Sequence, residues 1–507
     1  MDATFGSEVV YNDASTANQT SCEIDTDKVF VAYKDAGNSN YGTGIVGTVS
    51  GTVISYGGSE AVFSETDAVT YLSCCKIGTN KVLIIYDNDT DNKGYGIVAT
   101  ISGTTITYGT AVEFNAVAVK YLSCARVEDD KALVSYSDAG ADDYGASRVA
   151  SISTTTVSFG TETVFNSAFS AHISSALFDT NKVLVGYRDG GNSHYGYAIV
   201  GTVSGTGVSF GTSVEFAGRA TDEISISKLD TDKCLIAYGD GGSNGYSRVA
   251  SISLTVPSYG TELNINNAYS AYITNTAYNN TYAIISYRDQ GNSEKGTSIV
   301  LEIDDTSISK GNEVVFNDAS TNSLTSCLIS SGKAFISFQD GGNSNKGTSI
   351  IAEVEVQTEF TITISETITT TEVLARPVNY NKSFAETFSI TEVLEVCKAK
   401  IIDVSETIGL TETLNKASAY AKTFSETFSI TEALTASQKY LLNLVESISI
   451  TESLAKLMAY SRSKVESFSI TDTLSFVDKY WKELTKHTSS YTGISKHTSS
   501  WTNKNKS

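Results

Sequence analysis

The chain is poor in proline and in the residues that usually carry metal or nucleophilic chemistry. Its 507 residues include two prolines and four histidines, and no two histidines have the spacing of metal ligands. It contains no GxSxG, Walker or dinucleotide-binding glycine motif. We therefore predict no enzyme activity, no metal and no cofactor.

Basic residues and long apolar runs are also scarce. The formal net charge is −21, with 36 Lys and Arg against 57 Asp and Glu. Nucleic acids and anionic membranes bind basic surfaces, so neither is an expected partner. No apolar window reaches the ~18 residues that a membrane-spanning helix needs. The N-terminal MDATFGSEVV has no basic stretch before an apolar run, and we expect no conventional secretory signal.

The seven cysteines include no CxxC pair, so a zinc site is not predicted. Cys22, Cys74, Cys124 and Cys327 occupy one slot of different repeats, and Ala176 fills it in another copy. A slot shared by Cys and Ala is a small apolar core position. We expect these cysteines to be buried free thiols.

The abundant feature is a glycine-marked repeat. The glycine recurs at Gly6, Gly57, Gly109, Gly160, Gly211, Gly260 and Gly311 within a phrase such as SFGTETVFN. Each copy contains four apolar runs separated by Gly, Asn, Asp and Ser, and its second run ends in an aromatic residue, as in KVLVGY. A period of this length with several strands per copy predicts a β-propeller.

The two ends of this array are complementary. The seventh copy stops after three strands, and the chain begins with an unmatched fourth strand at Thr4–Tyr11, TFGSEVVY. An N-terminal strand that completes the last blade closes the ring and hides both sheet edges. We predict an all-β chain in which residues 1–357 form a seven-bladed β-propeller.

Residues 358–478 contain six repeats of 20 residues. The repeat is marked by Glu366, Glu386, Glu406, Glu426, Glu446 and Glu466. The half typified by FSETFSITE favours a strand, and the other half, such as ALTASQKYLLNL, favours a strand or a short helix. Such short units bury little core alone, so we predict an elongated, β-rich stalk through which the chain forms homo-oligomers.

The tail at 479–507 has a period of ten. Trp481, Tyr491 and Trp501 alternate with Lys486, Lys496 and Lys506. The segment has too little apolar content for an independent domain, so we expect a docking or disordered peptide.

The candidate site lies in the loops between the second and third strands, with phrases such as YKDAGNSNYG and YRDGGNSHYG. We call these the B–C loops. Their candidate ligand-binding residues are Asp35, Asn38, Tyr41, Asp138, Asp189, Asn192, Tyr195, Asp240, Asp289, Asn292, Asp340 and Asn343. The second copy has Asn88 at the aspartate position.

These loop residues have three interpretations. In the first, Asp and Asn cap the turn while Gly37 and its counterparts supply positive φ. In the second, they form a ring of shallow pockets that bind sugar hydroxyls beside a tyrosine. The third is a repeated Ca²⁺ site, for which each loop offers one firm carboxylate. A glycosidase needs two carboxylates in one special place, whereas these are spread evenly over the repeats.

The whole chain resembles tailed-phage and related viral fibre proteins. The resemblance rests on the proline-poor β-repeat, on the ETFSITE phrase at Glu386–Glu392 and Glu426–Glu432, and on the Trp/Tyr–Lys tail. It implies a non-enzymatic virion appendage, assembled in the host cytoplasm. Its propeller would recognise a host glycan or protein or decorate the particle, and its C-terminal segment would bind other virion proteins. The alternatives are a cellular surface adhesin or lectin and, third, a propeller glycosidase.

Overall fold

The computed structural model describes residues 2–64, 66–330 and 332–354, and the backbone of strands between Phe360 and Leu474. The chain divides into two compact parts, Met1–Glu355 and Val356–Ser507. The described residues are all-β, and their only helices are single 3₁₀ turns. The predicted docking peptide at 479–507 lies outside the described residues.

The N-terminal part contains 31 strands. The first eleven are β1 Ala3–Phe5, β2 Val9–Asp25, β3 Lys28–Asp35, β4 Tyr41–Ser50, β5 Val53–Ser55, β6 Ala61–Val62, β7 Val69–Gly78, β8 Lys81–Asn88, β9 Lys93–Ser102, β10 Thr105–Tyr108 and β11 Val112–Asn115. Next come β12 Val119–Glu128, β13 Lys131–Asp138, β14 Tyr144–Ser153, β15 Thr156–Phe159, β16 Thr163–Asp179, β17 Lys182–Asp189, β18 Tyr195–Ser204, β19 Gly207–Phe210 and β20 Val214–Ala220. The last are β21 Asp222–Asp230, β22 Lys233–Gly239, β23 Gly245–Ser253, β24 Val256–Tyr259, β25 Leu263–Asn266, β26 Ser270–Ala277, β27 Tyr282–Asp289, β28 Lys295–Asp304, β29 Ser307–Ser330, β30 Lys333–Asp340 and β31 Lys346–Val354.

These strands pair antiparallel in a pattern that recurs along the chain. In the fourth repeat, the second half of β16 pairs with β17, β17 pairs with β18, and β18 pairs with both β19 and β20. We call these the first, second, third and fourth strands of a repeat, the fourth being split in two. The long strands β2, β16 and β29 each serve two repeats, as the fourth strand of one and the first strand of the next.

The core lies between neighbouring repeats. Leu184 and Val200 of the fourth repeat cluster with Ile236 and Ala250 of the fifth, and all four are fully buried. The second strands are buried on both faces because each packs against a neighbour on either side. This explains why their sequences are continuous apolar runs without alternation.

The N-terminal strands pair with the third strand of the seventh repeat, as the sequence predicts. Ala3 and Phe5 of β1 pair with Val354 and Ala352 of β31. The first half of β2 continues the same ladder from Val9, opposite Ser349. The seventh repeat therefore takes its fourth strand from the other end of the array.

The first strands of successive repeats are joined by hydroxyl groups. One register position holds Ser or Thr in every repeat, at Thr20, Ser73, Ser123, Ser174, Ser225, Thr274 and Thr325. Ser174 Oγ, for example, accepts a hydrogen bond from the Ile226 N–H of the next repeat at 3.0 Å. The hydroxyls of Thr325 and Ser21 lie 3.1 Å apart and join the seventh repeat to the first in the same way.

The first strands contain Cys22, Cys74, Cys124 and Cys327. Cys22, Cys74 and Cys124 are buried free thiols, as predicted, and Cys327 is half-buried. Burial raises the pKa of the Cys327 thiol to about 12. The pKa values of the Cys22 and Cys124 thiols are raised as well, so these three thiols are neutral packing groups near pH 7.

The C-terminal part contains two parallel sheets. One consists of β32 Phe360–Ile364, β34 Tyr380–Phe384, β36 Lys400–Val404, β38 Tyr420–Phe424, β40 Tyr440–Asn443 and β42 Tyr460–Ser463. The other consists of β33 Thr369–Leu374, β35 Phe388–Leu394, β37 Ile408–Leu414, β39 Phe428–Leu434, β41 Ile448–Leu454 and β43 Phe468–Leu474. Equivalent positions of successive repeats pair directly, as Glu432 does with Glu452. Both halves of the repeat thus contain a strand.

Candidate functional site

Five B–C loops share one geometry. Each contains a 3₁₀ turn, at Ala36–Asn38, Ala139–Ala141, Gly190–Asn192, Gln290–Asn292 and Gly341–Asn343. The preceding aspartate caps the turn, and Asp189 Oδ1, for example, accepts a hydrogen bond from the Gly191 N–H at 2.9 Å. Two residues in the left-handed region, such as Ser193 and His194, then lead into the third strand.

The cap aspartate has a second fixed partner that sequence analysis missed. Asn166, at the end of the fourth strand of the preceding repeat, donates from Nδ2 to Asp189 Oδ1 at 3.1 Å. Asn266 binds Asp289 in the same way at 3.0 Å. The signal was present, because the phrase around the repeat glycine ends in asparagine, as in SFGTETVFN. This asparagine ties each loop to the neighbouring repeat.

The expected role of the loop glycines is wrong in the five loops with a 3₁₀ turn, whereas Gly241 of the fifth repeat does have positive φ. Gly37 is not among the residues with positive φ, and that conformation belongs to Ser39 and Asn40. Glycine is required because a Cβ at Gly37 would lie 2.5 Å from the Cβ of Ala14. The constraint is close packing against the preceding strand rather than backbone conformation.

The predicted binding residues fall into two groups. The aspartates Asp35, Asp138, Asp189, Asp289 and Asp340 are buried, with 4–8% of their surface exposed. The exposed residues lie at the loop tips and are Asn38, Asn192 and Asn292. The half-buried residues are Asn343, Tyr41, Tyr195 and Asp240, and the loop that contains Asp240 has no 3₁₀ turn. The amides at the tips are therefore accessible to a ligand, whereas the aspartates are occupied by their own turns.

The described residues include neither a metal-binding cluster nor a membrane-spanning helix. They contain no group of three or more His, Cys, Asp or Glu side chains arranged to hold a metal ion. None of their helices is long and apolar enough to cross a membrane.

We expect Asp189→Ala to destabilise the protein by about 2 kcal/mol, because it removes the cap of the Gly190–Asn192 turn and one hydrogen-bond partner of the half-buried Asn166 amide. Asp189→Asn keeps an acceptor oxygen and should cost less. Chemical denaturation of the full chain measures both. Asp230→Ala, in an exposed turn at the opposite end of the strands, is the control and should cost under ~1 kcal/mol. Equal losses at Asp189 and Asp230 would contradict the structural role of the loop aspartates.

A second set of polar residues lies at a bulge in each first strand. Seven non-glycine residues there adopt a left-handed conformation, with φ between 46° and 52°: Asn18, Tyr71, Tyr121, His172, Glu223, Tyr272 and Ser323. The register shifts at each of them, for example between Asp222 and Ser225. We call these the bulge residues. No glycine marks these positions, so this conformation could not be predicted from the sequence.

Successive bulge residues contact one another across the repeats. The ring of Tyr121 lies 5.5 Å from that of Tyr71 and 5.0 Å from that of His172. His172 Nδ1 accepts a hydrogen bond from the Glu223 N–H at 3.1 Å. Glu223 in turn accepts from the Tyr272 N–H at 3.1 Å. A bulge changes the direction of a side chain. The bulges therefore place five consecutive bulge residues, from Tyr71 to Tyr272, in contact with one another.

Comparisons with known proteins identify a fold rather than a family. No protein-family model matches the chain, and no curated protein matches its sequence. Among solved structures, the BP39L lectin from Burkholderia pseudomallei is 8% identical, with a TM-score of 0.50, and the alignment covers 68% of this chain and 99% of that one.

Two other solved structures have lower TM-scores. A mutant of the Aleuria aurantia lectin, in complex with Fucalpha1-6GlcNAc, is 13% identical with a TM-score of 0.39, over 60% of this chain and 96% of that one. A mutant of the NanB sialidase from Streptococcus pneumoniae is 9% identical with a TM-score of 0.43, over 68% and 70%. At these identities the likeness concerns architecture alone. The chain has an all-β, propeller-like fold.

Proposed function

We propose that residues 2–354 form a closed, seven-bladed β-propeller that binds carbohydrate without chemical turnover. The pairing of β1 and β2 with β31 supports closure, because it supplies the strand that the seventh repeat lacks. The hydroxyl contact between Thr325 and Ser21 supports it independently, since it places the first strands of the seventh and first repeats side by side.

The single observation that carries carbohydrate binding is the repeated geometry of the B–C loops. In three of them an exposed amide, that of Asn38, Asn192 or Asn292, stands above a buried aspartate cap. An amide both donates and accepts hydrogen bonds, which suits sugar hydroxyls. Each tip offers few contacts, so binding to one tip is weak and repetition supplies avidity for a multivalent glycan.

We expect the triple variant Asn38→Ala, Asn192→Ala, Asn292→Ala to lose at least ~10-fold in apparent affinity for a glycan surface, and each single change only about 2-fold. The measurement is binding of the full chain to an array of neutral oligosaccharides, followed by titration on the best glycan. The melting temperature should change little for Asn38→Ala and Asn292→Ala, because these residues are exposed. Asn192→Ala should lower it slightly, because the Asn192 amide also donates a hydrogen bond to Asp189 Oδ2.

The matched control changes three exposed threonines at the opposite ends of the strands. Thr26, Thr180 and Thr231 occupy equivalent turns between first and second strands. Their triple alanine variant should bind like the unmodified protein. Equal loss of binding in both triple variants would mean that the B–C loops are not the binding surface.

A second proposal concerns location: the protein is a virion appendage, with the C-terminal part as its stalk. The in-register parallel strands support the stalk alone, because pairing between successive 20-residue repeats builds a ladder that grows with each repeat. The virion location rests on the resemblance of the ETFSITE phrase and of the Trp/Tyr–Lys tail to viral fibre proteins. Electron microscopy of particles labelled with an antibody against this chain tests the idea. Labelling of a cell surface with unlabelled particles would favour the cellular lectin instead.

A further inference from the structure

The seven repeats differ in the residue type at the bulge position. Five of the seven B–C loops share one geometry, but the bulge position holds Glu223 in the fifth repeat, Tyr272 in the sixth and Ser323 in the seventh. A side chain in the left-handed region costs roughly 1–3 kcal/mol where the residue is not glycine. The bulge position has a strained backbone in every repeat, and its side chains differ from one repeat to the next. We therefore regard the bulge position as a candidate binding site.

Tyr272 and Arg288 form the centre of the cluster. Arg288 precedes the cap Asp289, and its guanidinium lies 4.9 Å from the centre of the Tyr272 ring. Its Nη1 donates to the neutral Asn322 Oδ1 at 2.5 Å. The Tyr272 side chain is 37% exposed beside the small Ser323. An accessible aromatic ring thus borders a cation that forms no ion pair with any carboxylate of the described residues.

Arg188 occupies the equivalent position of the fourth repeat, but its charge is neutralised. It is paired with Asp222, and His172 Nε2 lies 3.4 Å from the same carboxylate oxygen. Burial lowers the pKa of His172, and Arg188 lowers it further, so the imidazole is neutral near pH 7. Among the described residues, Nε of Arg188 and Nε of Arg288 are both buried without a hydrogen-bond partner.

We propose that Tyr272, Arg288 and Glu223 form a single binding site for an anionic saccharide, separate from the B–C loop tips. The sugar ring packs on the exposed surface of Tyr272, as apolar sugar faces do on aromatic rings, and its carboxylate or sulfate pairs with the Arg288 guanidinium. Asp222 is held by Arg188 and His172, so the site lacks a free second carboxylate and binds without hydrolysis. This site goes beyond the proposed function, because it takes one charged ligand per chain.

Glu223 makes this site sensitive to pH. Burial raises the pKa of Glu223 to about 7, and the neighbouring Asp222 raises it while Arg288 and the hydrogen bond from Tyr272 oppose the rise. Tyr269 and His172 also lie close to Glu223. Burial raises the pKa of Tyr269 and lowers the pKa of His172, so both are uncharged near pH 7. Protonation of Glu223 removes a negative charge beside the anion, so binding should strengthen as the pH falls through about 7.

The test measures binding of methyl glucuronide, glucose 6-sulfate and neutral methyl glucoside to the full chain by titration NMR. We expect at least one anionic sugar to bind more tightly than methyl glucoside, and Arg288→Gln to weaken that binding at least ~10-fold. The comparison between the two anions distinguishes a carboxylate from a sulfate ligand. Arg126→Gln is the matched control, because this exposed arginine is at the far end of a first strand and is paired with Asp129.

A pH series gives a second readout if Arg288→Gln proves unstable. In the unmodified protein, affinity for the anionic sugar should rise from pH 8 to pH 6. Glu223→Gln should have the pH 6 affinity at both values. Absence of anionic-sugar binding, equal affinity for methyl glucoside, or a flat pH series in the unmodified protein would overturn the proposal. Loss of binding to the neutral glycan array would leave it standing, so the two sites can fail separately.

Discussion

Deletion of Met1–Asp13 should abolish cooperative unfolding and cause aggregation. The deletion removes β1 and the start of β2, and so exposes the backbone of β31 along one edge. An unpaired central edge is a template for association with other chains. It also removes the buried Tyr11, whose hydroxyl bonds Gln19, and whose burial alone is worth ~2 kcal/mol. Calorimetry and size-exclusion chromatography of the full chain measure the two effects.

The matched control restores the strand from elsewhere in the chain. Replacing Thr4–Tyr11, TFGSEVVY, with Ser158–Phe165, SFGTETVF, keeps the glycine and the aromatic positions of the same repeat element. This variant should remain monodisperse and melt cooperatively. A deletion variant that melts like the unmodified protein would disprove closure by the N-terminal strand.

Gly160→Ala should lower the free energy of unfolding by about 3 kcal/mol, near the upper end of ordinary overpacking. A Cβ at Gly160 would lie 1.9 Å from the carbonyl oxygen of Thr206 in the next repeat. The obstacle is backbone, so neither repeat relieves the clash by a rotamer change. The same approach occurs between Gly6 and Thr52, where a Cβ would lie 2.0 Å from the carbonyl oxygen, and there it spans the seventh and first repeats. Chemical denaturation is the measurement.

Adjacent glycines in the first repeat provide the control. A Cβ at Gly57 would meet nothing within 4 Å, whereas one at Gly58 would lie 2.6 Å from the Thr104 carbonyl oxygen. Gly57→Ala should therefore stay within ~0.5 kcal/mol of the unmodified protein. Gly58→Ala should destabilise in the same direction as Gly160→Ala. Similar effects at Gly57 and Gly58 would show that packing against the next repeat is not the cause.

The fold could be predicted from the sequence where the same residue type serves the same structural role in every repeat. Periodicity located the four strands of each repeat and the pairing of Thr4–Tyr11 with the seventh repeat, because strand patterns and a missing strand are visible locally. It also marked Gly57 as the repeat glycine, although Gly58 makes the close contact in that copy. The prediction misses by one residue because the loop of that copy differs in length by one residue, while the surrounding repeat phrase can still be recognised.

The sequence was less informative about contacts between repeats. The hydroxyl position that holds Ser174 matters only because another first strand lies beside it, and no local pattern reveals that neighbour. The bulge conformation of Tyr272 and Glu223 is equally hidden, since neither residue type favours the left-handed region. For the loops, the aspartates were the visible signal. The structure distinguishes between candidates that the sequence names together: Asn38, Asn192 and Asn292 are exposed, whereas the aspartates that cap the 3₁₀ turns are buried.

The pairing of the N-terminal strands with β31 also sets the order of events during synthesis. Thr4 and its partner Glu353 are separated by 349 residues. At ~5–20 residues per second, a ribosome needs roughly 20–70 s to make that stretch. Throughout this interval Val9 and Tyr11 have no partner strand in their own chain. On a polysome, the nearest available β31 can belong to the preceding nascent chain, and exchange of this strand would join two molecules by the same ladder that closes one.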